Sequence, residues 1–285
     1  MPSESSNAAI GATVPLDSSH HLLRRRIISA LVLVPLALAL VVLGSPSWDV
    51  FVALFGAVMA WEWTRICNQG RLGLAGFVII AAVLTAIAAA AAALYQAAFL
   101  ILIAGGLFGT VVSRLGGETA ANWQGLGAVY VGAPCISILW VRSELDGGLE
   151  TLLWVLALVW ATDTGAYIAG RRIGGVKLAP RISPNKTWAG LGGGIVAAAL
   201  VGLAAALWLG TPSIWLLLGV SAALAVVEQV GDLAESAFKR RFGVKDSSDI
   251  IPGHGGVLDR VDGLLAVIVA VAGLSLAGGG SVLLW

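Results

Sequence analysis

From Ile27 onward the chain is a succession of aliphatic blocks separated by short polar stretches, and this feature leaves little choice of fold. A bilayer core ~30 Å thick takes about 20 apolar residues per helix. Inside it every backbone N–H and C=O must be satisfied within its own segment, which selects helices over open sheets. The blocks predict nine helices, at about 27–43, 48–64, 74–94, 97–112, 126–142, 149–169, 189–209, 213–231 and 257–278. The expected fold is therefore an all-α, polytopic integral membrane protein. Charged residues make up 12% of the chain, about half the ~25% of a soluble domain. Residues 24–285 are expected to form a single transmembrane domain, with no separate soluble one. Residues 1–23, rich in Ser, Asn and small side chains, read as a disordered or interfacial tail.

Charge placement gives an orientation. Arg24, Arg25 and Arg26 precede the first block, no small-residue cleavage motif follows it, and further blocks succeed it, so it reads as an uncleaved anchor. Threading nine spans from a cytoplasmic N-terminus puts those three with Arg65, Arg71, Arg114, Arg171, Arg172, Lys177, Arg181, Lys186, Lys239, Arg240, Arg241 and Lys245 on the cytoplasmic side. Only Arg142 falls outside, and Arg260 lies within the last helix, a distribution that follows the positive-inside rule. The two long polar loops, 170–188 and 232–256, then share the cytoplasmic face.

Several residue types read as structural. Cys67 and Cys135 lack any metal or disulfide spacing and are expected to be small core hydrophobes. Gly105/Gly109, Gly170/Gly174 and the run Gly192 to Gly194 suit close helix packing in lipid. Neither a dinucleotide-binding nor a Walker fingerprint is present. Asp49, beside Trp48 at a helix start, and Glu62, between Trp61 and Trp63 near a cytoplasmic end, read as a dipole partner and an interfacial residue.

Asp232, Glu235, Asp259 and Asp262 are harder to account for, since charge within a membrane is costly. Residues three apart share a helix face, so Asp259 is expected to project with Asp262 and Asp232 with Glu235. Two converging carboxylate pairs would repel unless neutralised, and hard oxygen ligands suit Mg²⁺. The structural alternative is an interhelical network in which Lys239, Arg240 and Arg260 compensate the acids. The intervening loop adds Lys239, Arg240, Arg241 and Lys245, then Pro252-Gly253-His254-Gly255-Gly256, whose bare backbone could approach a phosphate at a helix N-terminus. A second group, Asp163 followed by Lys177, Ser183, Lys186 and Thr187, suits phosphate at a cavity mouth, with Arg171 and Arg172 read as topology anchors. Together these point to phosphoryl or nucleotidyl transfer.

At these residues the sequence resembles the phosphatidate cytidylyltransferases, or CDP-diacylglycerol synthases. Their signature stands here as Ser236, Lys239-Arg240, Lys245-Asp246, His254-Gly255-Gly256 and Asp259-Arg260-Val261-Asp262. Gly231-Asp232-Leu233-Ala234-Glu235-Ser236 and Ser183-Pro184-Asn185-Lys186-Thr187 also match. One departure is Ala189, where the family usually carries glutamate. The resemblance implies conversion of CTP and phosphatidic acid to CDP-diacylglycerol and pyrophosphate with Mg²⁺, and a second cation such as K⁺. It implies metal binding by Asp232 and Asp259, supported by Asp262, with Lys239 also catalytic. Lys186, Ser183, Ser236, Arg240, Lys245, Asp246, His254, Gly255 and Gly256 would bind substrate, His254 by positioning it. A homodimer in a bacterial inner membrane, with the site facing the cytoplasm, is also implied. CDP-alcohol phosphatidyltransferases share Asp259-x₂-Asp262-Gly263 but require later aspartates that the chain lacks. A transporter using intramembrane carboxylates is the alternative from another class.

Overall fold

The computed structural model describes residues 31–118, 120–251 and 255–285. The tail at 1–23, Arg24 to Arg26 and His254 lie outside them. A short apolar helix, α1 (Leu31–Leu43), precedes eight helices long and apolar enough to span a bilayer: α2 (Ser47–Cys67), α3 (Leu74–Ala91), α4 (Tyr95–Leu115), α5 (Ala121–Glu144), α6 (Gly148–Arg172), α7 (Trp188–Leu209), α8 (Ile214–Arg241) and α9 (Leu258–Gly278). Each expected block is present.

Two differences bear on function. First, α8 runs ten residues beyond its expected end at 231. The polar stretch Asp232 to Arg241 therefore stays helical, held by Phe238, whose ring stacks on Trp63 of α2 at 3.7 Å and 6°. Second, part of the 170–188 loop is an antiparallel hairpin of β1 (Lys177–Ala179) and β2 (Ser183–Thr187). Thr187 ends the hairpin and also caps α7, accepting from Gly190 N at 3.0 Å.

Short connections make sequential neighbours antiparallel, and the helices pack most extensively as α6 on α7, α7 on α8 and α3 on α4. Glycine makes the closest approaches possible. A Cβ on Gly193 would lie 2.7 Å from Gly165 O, one on Gly105 2.3 Å from Ala82 Cβ, and one on Gly170 3.1 Å from the Thr187 hydroxyl. Gly192 and Gly174 make no such approach. Cys67 and Cys135 are buried free thiols, as expected of core hydrophobes. Alternation of the helices gathers the C-terminal ends of α2, α6 and α8, the hairpin and the N-terminal end of α9 at one end of the bundle. Trp208 and Trp215, both more than 80% exposed, mark the opposite end at the α7–α8 turn, where membrane-interface tryptophans belong.

Candidate functional site

The site is assembled where α8 crosses α9. A Cβ on Gly231 would lie 2.6 Å from Ala266 Cβ and 3.1 Å from Asp262 O, and one on Gly263 2.7 Å from Glu228 Oε1. Only hydrogen at these two positions lets the backbones approach, and that approach brings the acidic face of α8 against Asp262. Glu228, Asp232, Glu235 and Lys239 recur at spacings of four, three and four residues, so they form one stripe along α8.

Cations from two directions meet this stripe. Lys186, carried in by β2, pairs with Asp232, both being largely buried, and Ser236 Oγ donates to the other oxygen of Asp232 at 3.3 Å. Lys239 lies between two acids, 2.6 Å from Glu235 and 2.7 Å from Asp259. The expected pairing along each helix is thus replaced by pairing across helices, because a buried lysine bridges α8 to α9 there. For Glu235 and Asp259 this is the interhelical compensation weighed as the structural alternative. Lys239 is 8% exposed, so its charge serves these two carboxylates.

Asp259 is fully engaged. Besides Lys239, its oxygens accept from Ser247 N at 2.9 Å, Ser247 Oγ at 2.9 Å and Gly256 N at 2.8 Å. It thereby anchors the 242–257 loop. Asp262 meets Gly263 N at 2.9 Å and has Asp232 and Asp163 within electrostatic reach. Asp163, on α6, lies within hydrogen-bonding reach of Glu228, whose other contact is Gln229 Nε2 at 2.6 Å. A second acidic group, Asp163, Glu228, Asp232 and Asp262, therefore gathers from three helices around Lys186.

Glu62, expected as a structural residue of the interface, is structural in a way its sequence neighbours do not show: it is fully buried and reaches from α2 to accept from Val257 N at 2.8 Å, Leu258 N at 2.7 Å and Ser248 Oγ at 2.6 Å. It supplies the negative charge that the N-terminus of α9 attracts. A Cβ on Gly256 would come within 2.3 Å of Glu62 Oε1, so the glycine is needed for the loop to close over this carboxylate. Gly255, at φ +87°, makes the preceding turn and bridges Ile251. The N–H groups of Gly256, Val257 and Leu258 are thus occupied by Asp259 and Glu62, and in this arrangement are not free to meet a phosphate.

The remaining candidates lie at the rim. Arg240 is exposed and donates to Val244 O at 2.9 Å, while Lys245 and Asp246 are exposed on the loop. Ser183 lies half-buried opposite Ala179 in the hairpin. Ala189 follows Lys186 on the first turn of α7 and brings no polar group. Asp49, at the far end, accepts from Ser45 Oγ as a local contact.

Among the described residues, no three His, Cys, Asp or Glu side chains form a ready cluster for a metal. Mg²⁺ does not require one, because it is commonly held by one or two carboxylates together with substrate phosphates and water. Asp232 and Asp262 fit that role in charge and donor chemistry. Asp259 could join only by giving up Lys239.

The profile of a family described as cytidylyltransferases matches residues 24–276. A phosphatidate cytidylyltransferase of Brucella suis is 39% identical over 249 residues, covering 86% of this chain and 90% of its own length. One from Pseudomonas aeruginosa is 38% identical over 269 residues, covering 90% and 98%. Over a shorter stretch of 144 residues, 50% of this chain and 54% of the other, one from Staphylococcus epidermidis is 49% identical.

Proposed function

The chain belongs to the cytidylyltransferase family and converts CTP and phosphatidic acid to CDP-diacylglycerol and pyrophosphate in phospholipid synthesis; we propose that the reaction takes place in the cleft between α6, α8, α9 and the hairpin. The observation that carries this placement is the meeting of Lys186 with Asp232 beside Asp262 and Asp163, a concentration of charge on three helices that are otherwise largely apolar.

In the reaction a phosphate oxygen of the lipid attacks the α-phosphorus of CTP. The new P–O bond forms as the bond to the β-phosphate breaks, and pyrophosphate carries away the electron pair. The nucleophile is already anionic, so no strong base is needed; the barrier is repulsion between two polyanions and charge growth in the transition state. Lys186, paired with Asp232, is the positive group that would exchange this carboxylate for a phosphate. Ser236 orients Asp232. Lys239, Glu62 and Asp259 hold the loop and the start of α9, so that Asp262 keeps its place. Mg²⁺ on Asp232 and Asp262 would neutralise phosphate oxygens. Arg240 and Lys245 at the rim would attract CTP from the aqueous side.

The same reading places the site on the cytoplasmic face of a bacterial inner membrane, because the basic residues gather at its end of the bundle. It also includes a homodimer, to be checked by mass measurement in detergent. Purified protein should convert labelled CTP to a lipid-soluble product only when phosphatidic acid and Mg²⁺ are both present. Absence of product from folded protein in several lipid mixtures would refute the assignment, with Ala189 the first position to restore to glutamate.

A further inference from the structure

An apolar groove of about 310 Å³ runs along the bundle between α1, α2, α5, α6 and α9. Ala37, Phe55, Ile138 and Leu264 contribute to its wall, and among its lining residues Arg260 alone is charged. Arg260 shares the start of α9 with Asp259 and Asp262 and lies within electrostatic reach of Asp163, so the charged residue of the groove stands at the same level of the bundle as the acids. Ile251, from the loop anchored by Asp259, lines the groove as well. On α6 the lining residue Trp160 is three positions before Asp163, about one helical turn. Cleft and groove therefore share the walls α6 and α9, polar at one end and apolar along the rest.

We propose that this groove holds an acyl chain of the phosphatidic acid substrate, with the Arg260 guanidinium alongside the anionic headgroup where it passes into the cleft. The inference rests on the proposed function and specifies how that site takes its lipid. The order of polarity matches an anionic lipid, with the acids and Lys186 first, then Arg260, then aliphatic and aromatic surface. Arg260 already lies within electrostatic reach of Asp163, and a guanidinium has five donors, so it can serve an acid and a phosphate together. The volume lies in the ~300–1,000 Å³ range of small-molecule sites. A nucleotide would gain nothing from such a lining, and an uncharged lipid would bring no anion to Arg260.

The test uses phosphatidic acid carrying a photoreactive diazirine on one acyl chain, added to the full-length protein in phosphatidylcholine nanodiscs. The expected result is labelling of peptides containing Ala37, Phe55 or Leu264, suppressed by plain phosphatidic acid and not by extra phosphatidylcholine. Suppression by both would mean that any bilayer lipid fills the groove. No label there would mean that the lipid does not enter the groove. Either result overturns the proposal. A second measurement is the KM of Ala37→Phe, expected to rise about tenfold for dioleoyl phosphatidic acid with KM for CTP and for the dihexanoyl lipid unchanged. Equal changes for both lipids in a folded variant would also overturn it. Labelling of the groove without turnover would refute the reaction and leave the lipid site, whereas turnover without labelling would refute the lipid site alone.

Discussion

Two aspartates one helical turn apart on α9 have different surroundings, and the difference can be measured. Asp259 holds Lys239, both donors of Ser247 and the Gly256 N–H, so it is part of the framework as much as of the chemistry. Asp259→Asn leaves a buried lysine partly uncompensated and is expected to lower stability by about 3 kcal/mol as well as turnover. Among the described residues, Asp262 accepts from Gly263 N alone. Asp262→Asn should cut turnover at least about a hundredfold with the unfolding temperature unchanged. Thermal unfolding in detergent beside initial rates separates the two cases, and a destabilised Asp262→Asn with an unaffected Asp259→Asn would reverse the assignment. Glu62 is a third case, because its carboxylate takes three donors that no other described group satisfies. Glu62→Ala should cost about 3 kcal/mol, since bonds to a charged acceptor are worth ~1.5–3 kcal/mol each and water can replace part of the loss. It should also expose the 242–257 loop to protease. Glu62→Gln keeps one acceptor oxygen and should lie between; a protease pattern identical to wild type in both variants would remove Glu62 from this role.

At the scale of elements, the crossing of α8 and α9 determines whether the residues can act together. Gly231 and Gly263 lie at the contact, and each meets atoms of the opposite helix closer than a Cβ tolerates. Gly263→Leu should push Glu228 and α8 away, abolish turnover and leave the other helix pairs intact, which helical content by circular dichroism can check. Retained activity in that variant would show that the crossing need not be close. The crossing was only partly legible in the sequence. Spacing put Asp232 and Glu235 on one face of one helix and Asp259 and Asp262 on one face of another, but the contacts regroup them across the helices, Glu235 with Asp259 through Lys239 and Asp232 near Asp262. The end of α8 was not legible, because hydropathy falls sharply at Asp232. The helix continues for reasons hydropathy does not contain: Phe238 finds Trp63, and Lys239 finds acids on both sides. Glu62 was equally hidden, since its partners lie 186 to 196 positions away and its tryptophan neighbours imitate an interfacial signal.

Over the whole molecule, the sequence read most clearly where the bilayer constrains it. A segment that must satisfy its backbone internally has one common solution, so aliphatic blocks translated directly into spans. Orientation belongs to the same scale and can be tested directly. Arg65, Arg71, Arg114, Arg171, Arg172, Lys177, Arg181, Lys186, Lys239, Arg240, Arg241 and Lys245 all lie at or near the site end of the helices, with Arg142 at the other. The proposed cytoplasmic site suits an enzyme receiving CTP, and the positive-inside rule would favour the same orientation. Cys67 and Cys135 are both buried, so the native chain provides a quiet background for an impermeant thiol reagent. Ser143, exposed near the C-terminus of α5, and Lys245, exposed on the site loop, lie at opposite ends. Ser143→Cys should react in intact spheroplasts and Lys245→Cys only after the membrane is opened. The reverse pattern would place the acidic cleft on the side away from CTP, and the cytoplasmic site would then have to be abandoned whatever the purified protein catalyses.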